Sequence, residues 1–117
     1  MDFYFSKNKT PETRYQKWDA TTTLAIWTPR TGNRLVLTDL KITPWGAVAA
    51  GTFAIYLGST STNPVKVAEF GLAASAMVRV VCDALESTGV NYVLYGTPSA
   101  GGTSSHFAFA EGFEVEG

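Results

Sequence analysis

The chain of 117 residues has one cysteine and one histidine. A single thiol excludes a disulfide framework within the chain, and the two residues together cannot supply a Cys/His zinc cage. Charge is also scarce. Asp, Glu, Lys and Arg make up 16% of the residues, against roughly 25% in ordinary soluble domains. The net charge of -1 excludes the strong positive field of a dedicated DNA- or RNA-binding protein. There is no apolar run approaching about 18 residues, so no membrane span is expected. Residues Met1 to Lys7 have neither a basic n-region nor a long apolar h-region, so no secretory signal is expected either. Convincing helix is missing as well: the one tempting stretch, Ala68 to Ala76, contains Gly71. What remains is 45% hydrophobic residue, enough to bury a core, dressed in Thr, Ser, Gly and small apolar groups.

Residues 1–20 differ in texture from the rest. They carry Asp2, Lys7, Lys9, Glu12, Arg14, Lys17 and Asp19 among the rings of Phe3, Tyr4, Phe5, Tyr15 and Trp18. Neither a helical nor an alternating period fits them, and Pro11 interrupts any helix. Disordered tails lack aromatics, because nothing repays the entropy of ordering them. The segment therefore reads as an extended N-terminal arm or first edge element whose rings something covers. Residues 21–117 read as one β domain. Strand texture occupies 21–27, 34–42, 52–57, 65–70, 76–82, 91–95 and 107–115, separated by clusters such as Pro29-Arg30-Thr31-Gly32-Asn33 and Thr43-Pro44-Trp45-Gly46. In the last strand Phe107, Phe109, Phe113 and Val115 share one parity, and Gly112 marks a bulge or a close backbone approach. Seven short strands at this spacing predict an all-β fold: an antiparallel β-sandwich or jelly-roll-like barrel with an extended N-terminal arm.

Two long tracts carry no charged side chain: Thr43 to Val65 and Ser87 to Ala110, counting His106 as neutral. Small sandwiches ordinarily place Lys or Glu on exposed strands to keep edges soluble. Either Ser, Thr and Gly solvate these tracts well enough, or other subunits cover them, since interface centres are poor in charge and rich in aromatics. Tyr56, Tyr92 and Tyr95 lie in or beside the tracts and suit the second explanation. In the arm, basic and aromatic residues interleave, a pattern that can stack on single-stranded nucleic acid. Four positive and three negative groups leave it at only +1. Docking on a protein surface by strand addition, with Phe3, Tyr4, Phe5, Arg14, Tyr15 and Trp18 as anchors, fits better.

Chemistry finds little support. His106 is the lone imidazole and reads as a capping or surface residue; the adjacent Ser105 would point to the opposite face, so no nucleophile–base pair forms. Cys82, in Val80-Val81-Cys82, reads as a buried inert thiol. Glu111 lies on the opposite parity from Glu114 and Glu116, and no calcium-loop pattern occurs. The run Gly96 to Ser105 lacks the lysine of a phosphate loop and leads into a strand. No catalytic residue, metal or cofactor is expected. The Asn8-Lys9-Thr10 sequon reads as chance without a secretory signal.

The strand Arg34 to Ile42, the segment Gly51 to Gly58 with its Ser/Thr loop, and the closing Phe107-Ala108-Phe109-Ala110-Glu111-Gly112-Phe113-Glu114-Val115 resemble small Thr/Gly/Ala-rich β proteins of tailed-bacteriophage virions. The similarity is to capsid decoration (cement) proteins or small jelly-roll fibre modules. It implies a non-enzymatic structural protein, made in the host cytoplasm and resident on the virion surface. Its partners would be itself, as a homotrimer, and the major capsid protein, with no nucleic acid and no membrane. The alternative is a carbohydrate- or receptor-binding module of a fibre or tail, with Trp27, Trp45 and Tyr56 as platforms.

Overall fold

Alternation of apolar and polar residues between turn clusters builds eight strands: β1 (Glu12–Trp18), β2 (Leu24–Trp27), β3 (Asn33–Trp45), β4 (Gly51–Gly58), β5 (Val65–Leu72), β6 (Val78–Glu86), β7 (Val93–Pro98) and β8 (Ser105–Glu116). A computed structural model describes residues 11–18, 20–45, 50–60, 64–74, 76–99 and 105–117. The strands form two four-stranded sheets, ordered β1-β8-β3-β6 and β2-β7-β4-β5. Every pairing is antiparallel, and four of them join β1 to β8, β2 to β7, β3 to β6 and β4 to β5. That nesting is a single long hairpin rolled up on itself, the jelly roll; β3 with β8 and β4 with β7 complete the two sheets.

The expected all-β sandwich is the observed fold, and the seven expected strands correspond to β2 through β8. The expected boundary at residue 20 moves. Of the two readings of that segment, residues 12–18 are the first edge element: they form β1, paired residue by residue with β8 from Glu12 opposite Gly112 to Trp18 opposite His106. Residues 1–10 lie outside the described residues. No alternating period marks β1 because its sheltered side carries Arg14 and Gln16 before it reaches Trp18. Gln16 Nε2 donates to the Ala25 carbonyl at 3.0 Å, which closes β1 against β2.

The core lies between the sheets. Trp18, Trp27, Leu35, Leu37, Leu40, Ile42, Phe53, Ile55 and Leu94 fill it. Trp18 and Phe53 meet edge to face at 5.0 Å, and the Trp18 indole donates to the Thr22 carbonyl at 2.9 Å. Gly96 lies under this pair: a Cβ there would come within 2.7 Å of Phe53 and 3.0 Å of Trp18. Gly112 is the close approach expected of it. A Cβ there would run into the Val36 carbonyl oxygen, beside the register shift between Leu37 and Asp39.

Topology also supplies a reason for the uncharged tracts. They contain the whole of β4 and β7, the two central strands of their sheet, and both are largely buried on the two faces. The edge strands carry Glu12, Arg14 and Lys17 on β1, Lys66 and Glu69 on β5, and Arg79 and Glu86 on β6, while the central strands β3 and β8 of the other sheet carry Arg34, Asp39, Lys41, Glu111, Glu114 and Glu116. β5 and β6 also carry register shifts against their neighbours. Charges and bulges at edges oppose strand addition by other chains. Lack of charge in β4 and β7 is thus accounted for within one chain.

Candidate functional site

The outer face of the β1-β8-β3-β6 sheet is built by registered rows. Tyr15 lies opposite Phe109, Phe109 opposite Lys41, and Lys41 opposite Arg79. One row along come Thr13, Glu111, Asp39 and Val81, and on the other side Lys17, Phe107 and Thr43. Cross-strand partners share a face, so these side chains form one surface. It exposes large apolar groups: Val81 at 74%, Tyr15 at 65% and Met77 at 58%. A groove of about 400 Å³ crosses it, from Thr13 and Glu111 at one end to Met77 and Arg79 at the other.

Phe107 and Phe109 stack nearly parallel, 26° and 6.0 Å between centroids. Tyr15 leans on both, at 6.3 and 6.0 Å. Lys41 Nζ lies 5.1 Å from the Phe109 centroid, a cation over the ring face. Arg79 donates through Nε and Nη2 to Asp39 Oδ2 at 3.1 and 2.9 Å, and that bond, then the carboxylate charge, raises its already high pKa. Phe107, Phe109 and Tyr15 thus form one cluster of rings, with Lys41 over the Phe109 face and Tyr15 standing well out of the surface. Clustered rings and exposed apolar groups beside the Arg79–Asp39 ion pair match the anatomy of a protein interface.

The expected anchors scatter. Of the nine, Tyr15 stands on this face. Phe3, Tyr4 and Phe5 lie outside the described residues. Arg14 turns to the other side of β1, bonding Glu12 at 2.8 Å with its guanidinium 5.2 Å from the Trp27 ring centroid. Trp18 is no docking anchor, because it is wholly buried in the core. Tyr56 and Tyr95 pair on the outside of the other sheet, Tyr56 half-buried and Tyr95 9% exposed. Tyr92 is half-buried and covers Gly89. Of the alternative sugar platforms, Trp27 is buried at 1% exposure, and the side chain of Trp45 lies outside the described residues. Phe107, Phe109, Met77 and Val81 were missed as surface groups. The parity of Phe107 and Phe109 was visible, but that parity points outward, while Ala108 and Ala110 face the core.

Buried polar groups serve the fold. His106 is neither cap nor surface residue: it is 3% exposed, 5.7 Å from Phe53 centroid to centroid. Burial lowers its pKa from the ordinary 6.5, and its Nδ1 has no hydrogen-bond partner among the described residues. An imidazole enclosed in this way is cut off from any substrate. Cys82 is half-buried against the core, and desolvation pushes its thiol pKa up, as expected of an inert thiol. Glu114 is a buried carboxylate that accepts from Trp27 Nε1 at 2.9 Å, the Arg30 amide at 2.8 Å and Asn33 Nδ2 at 3.1 Å. Burial works to raise its pKa, but those three bonds and the Arg30 charge outweigh it and hold the group below its ordinary value. Among the described residues no three His, Cys, Asp or Glu side chains converge as metal ligands.

No protein-family model matches the chain, and no curated protein matches it in sequence. A solved chain from the disulfide-linked pili formed by Bacillus endospore appendages superposes with a TM-score of 0.46 at 10% identity, over 92% of this chain and 88% of that one. A likeness of that degree says nothing of what this chain does.

Proposed function

We propose that the chain is a non-enzymatic structural protein that works by docking on other protein chains, in the manner of a virion decoration protein. In that role a homotrimer binds the exterior of the major capsid protein and bridges neighbouring shell subunits. Many weak copies, each spanning two subunits, add up to a shell that is harder to separate.

The observation that carries the reading is the outer face of the β1-β8-β3-β6 sheet. Tyr15, Met77 and Val81 stand exposed there around the Phe107–Phe109 stack, on a surface the chain's own core does not use. Exposed apolar patches rimmed by charge mark docking sites on soluble domains.

The test pairs Val81→Asp with Tyr15→Ser. Both residues are more than half exposed, but the new carboxylate opposite Asp39 and the loss of the Tyr15 ring contacts should cost about 1–2 kcal/mol, so binding is compared where circular dichroism shows both proteins folded. Co-sedimentation with shells assembled from the proposed capsid-protein partner should then fall at least tenfold. Undiminished binding by the double variant refutes the docking role of this face.

A further inference from the structure

We propose that in the free protein the outer face of the β1-β8-β3-β6 sheet is closed by a second copy of the same chain. The two copies pack face to face about a two-fold axis that runs across the strands, between two adjacent rows of side chains. The inference rests on the reading of that face as a docking surface and names its occupant before a shell is met; the trimer proposed above is the shell-bound form.

Charge complementarity is the leading observation. The row Tyr15, Phe109, Lys41, Arg79 holds two cations and no anion. The neighbouring row, Thr13, Glu111, Asp39, Val81, holds two anions and no cation. The rows are two residues apart along the strands, about 7 Å. Within one copy Arg79 turns diagonally to Asp39 and bridges the rows. Lys41, over the Phe109 ring, and the exposed Glu111 form no ion pair among the described residues. An axis midway between the rows lays the cationic row of each copy over the anionic row of the other. β3 then lies over the partner's β3 with its direction reversed. Lys41 arrives across from the partner's Asp39, with the partner's Glu111 one strand to the side, about 5 Å away. Two-fold symmetry makes each contact twice, so a single match of rows serves both copies. A face of one sign would repel its own copy.

The apolar groups fit the same placement. Tyr15, 65% exposed, comes over the partner's Thr13, and Val81, 74% exposed, over the aliphatic stem of the partner's Arg79. Packed sheets keep their strands within about 30° of each other, so the rows stay matched near the axis. The groove beside Glu111 and Arg79 gives room for the partner's long side chains.

Size sets the strength. Four strands are about 19 Å across, and the seven residues of β1 are about 23 Å long, which gives a flat area of about 440 Å². Standard interfaces bury about 800 Å² per partner. The pair is therefore weak and open to displacement.

The full-length chain, mixed in equal parts with a heavy-nitrogen-labelled copy, provides the test. A zero-length carbodiimide joins an amine to a carboxylate in contact. It should couple Lys41 to Asp39 or Glu111 in peptides that combine light and heavy chains. In sedimentation equilibrium the chain should pair in the micromolar-to-millimolar range. Lys41→Glu, which sets a carboxylate over the partner's Asp39, should weaken that pairing at least tenfold. A chain monomeric throughout that range, Lys41 coupling confined to single chains, or a dimer that Lys41→Glu leaves unchanged overturns the pairing. The coupling readout uses the parent chain, so it decides the matter even where Lys41→Glu fails to fold. None of those results bears on whether the parent chain binds shells, so the two proposals fail separately.

Discussion

Glu114 offers the sharpest test of how this sandwich is held together. Its carboxylate is 7% exposed and takes three donors: the buried Trp27 indole, the Arg30 amide and the Asn33 amide group. Together they tie β8 to β2 and to the turn that enters β3. Arg30 then reaches Glu12 at 3.0 Å, which brings in the start of β1. Glu114→Ala strands the indole N–H in the core, at about 1–3 kcal/mol, and removes two partly wetted bonds worth about 1 kcal/mol each. The expected loss is about 4 kcal/mol by urea denaturation at pH 7, with Glu114→Gln near half of that because its carboxamide still accepts from one donor. The pH dependence adds a second reading. A carboxylate whose folded pKa lies below the unfolded 4.5 contributes stability above pH 4.5 and loses it as pH falls through the folded pKa. The difference between parent and Glu114→Ala should therefore shrink below pH 4.5. A loss under about 1 kcal/mol at pH 7, or a difference that holds constant into acid, refutes the argument.

Other outcomes follow from the same packing. Trp18→Ala should cost about 3–5 kcal/mol in chemical denaturation, since the ring is core and not an anchor. Wild-type stability in that variant would show that the ring is not packed as described. Gly112→Ala should cost about 3 kcal/mol or prevent folding, because the added methyl meets the Val36 carbonyl; a normal melting curve is the contrary result. His106 is held neutral by burial, so the unfolded chain takes up its proton first. Stability should decline as pH falls through 6.5 and level off below the lowered folded pKa, and His106→Leu should flatten that limb in urea titrations between pH 7 and 5. An unchanged limb in the variant would assign the decline to other groups.

Much of this fold is legible in one dimension. Period-two alternation and Gly, Pro and Asn clusters mark seven strands, and a lone Gly112 among large strand residues announces a tight backbone approach. The same is true of what the chain cannot do with one Cys and one His. Other features depend on which strands meet. A period of two defines two faces without saying which is inside. In β8 the large parity, Phe107 and Phe109, goes out because Trp18 and Phe53 arrive from β1 and β4 and leave room for only Ala108 and Ala110. β1 reads from the sequence only as an arm or first edge element, because its strand character comes from pairing with β8, far along the chain from Glu12↔Gly112 to Trp18↔His106, and not from its own pattern. The uncharged tracts were plain in the sequence, but their meaning was not. Placing β4 and β7 between other strands buries them within the chain, and the charges on the edge strands β1, β5 and β6 keep the sheets from growing. Glu114 and His106 look like surface residues until the sandwich closes over them. Burial and partnership are properties of contacts between distant segments, and a local pattern carries no record of them.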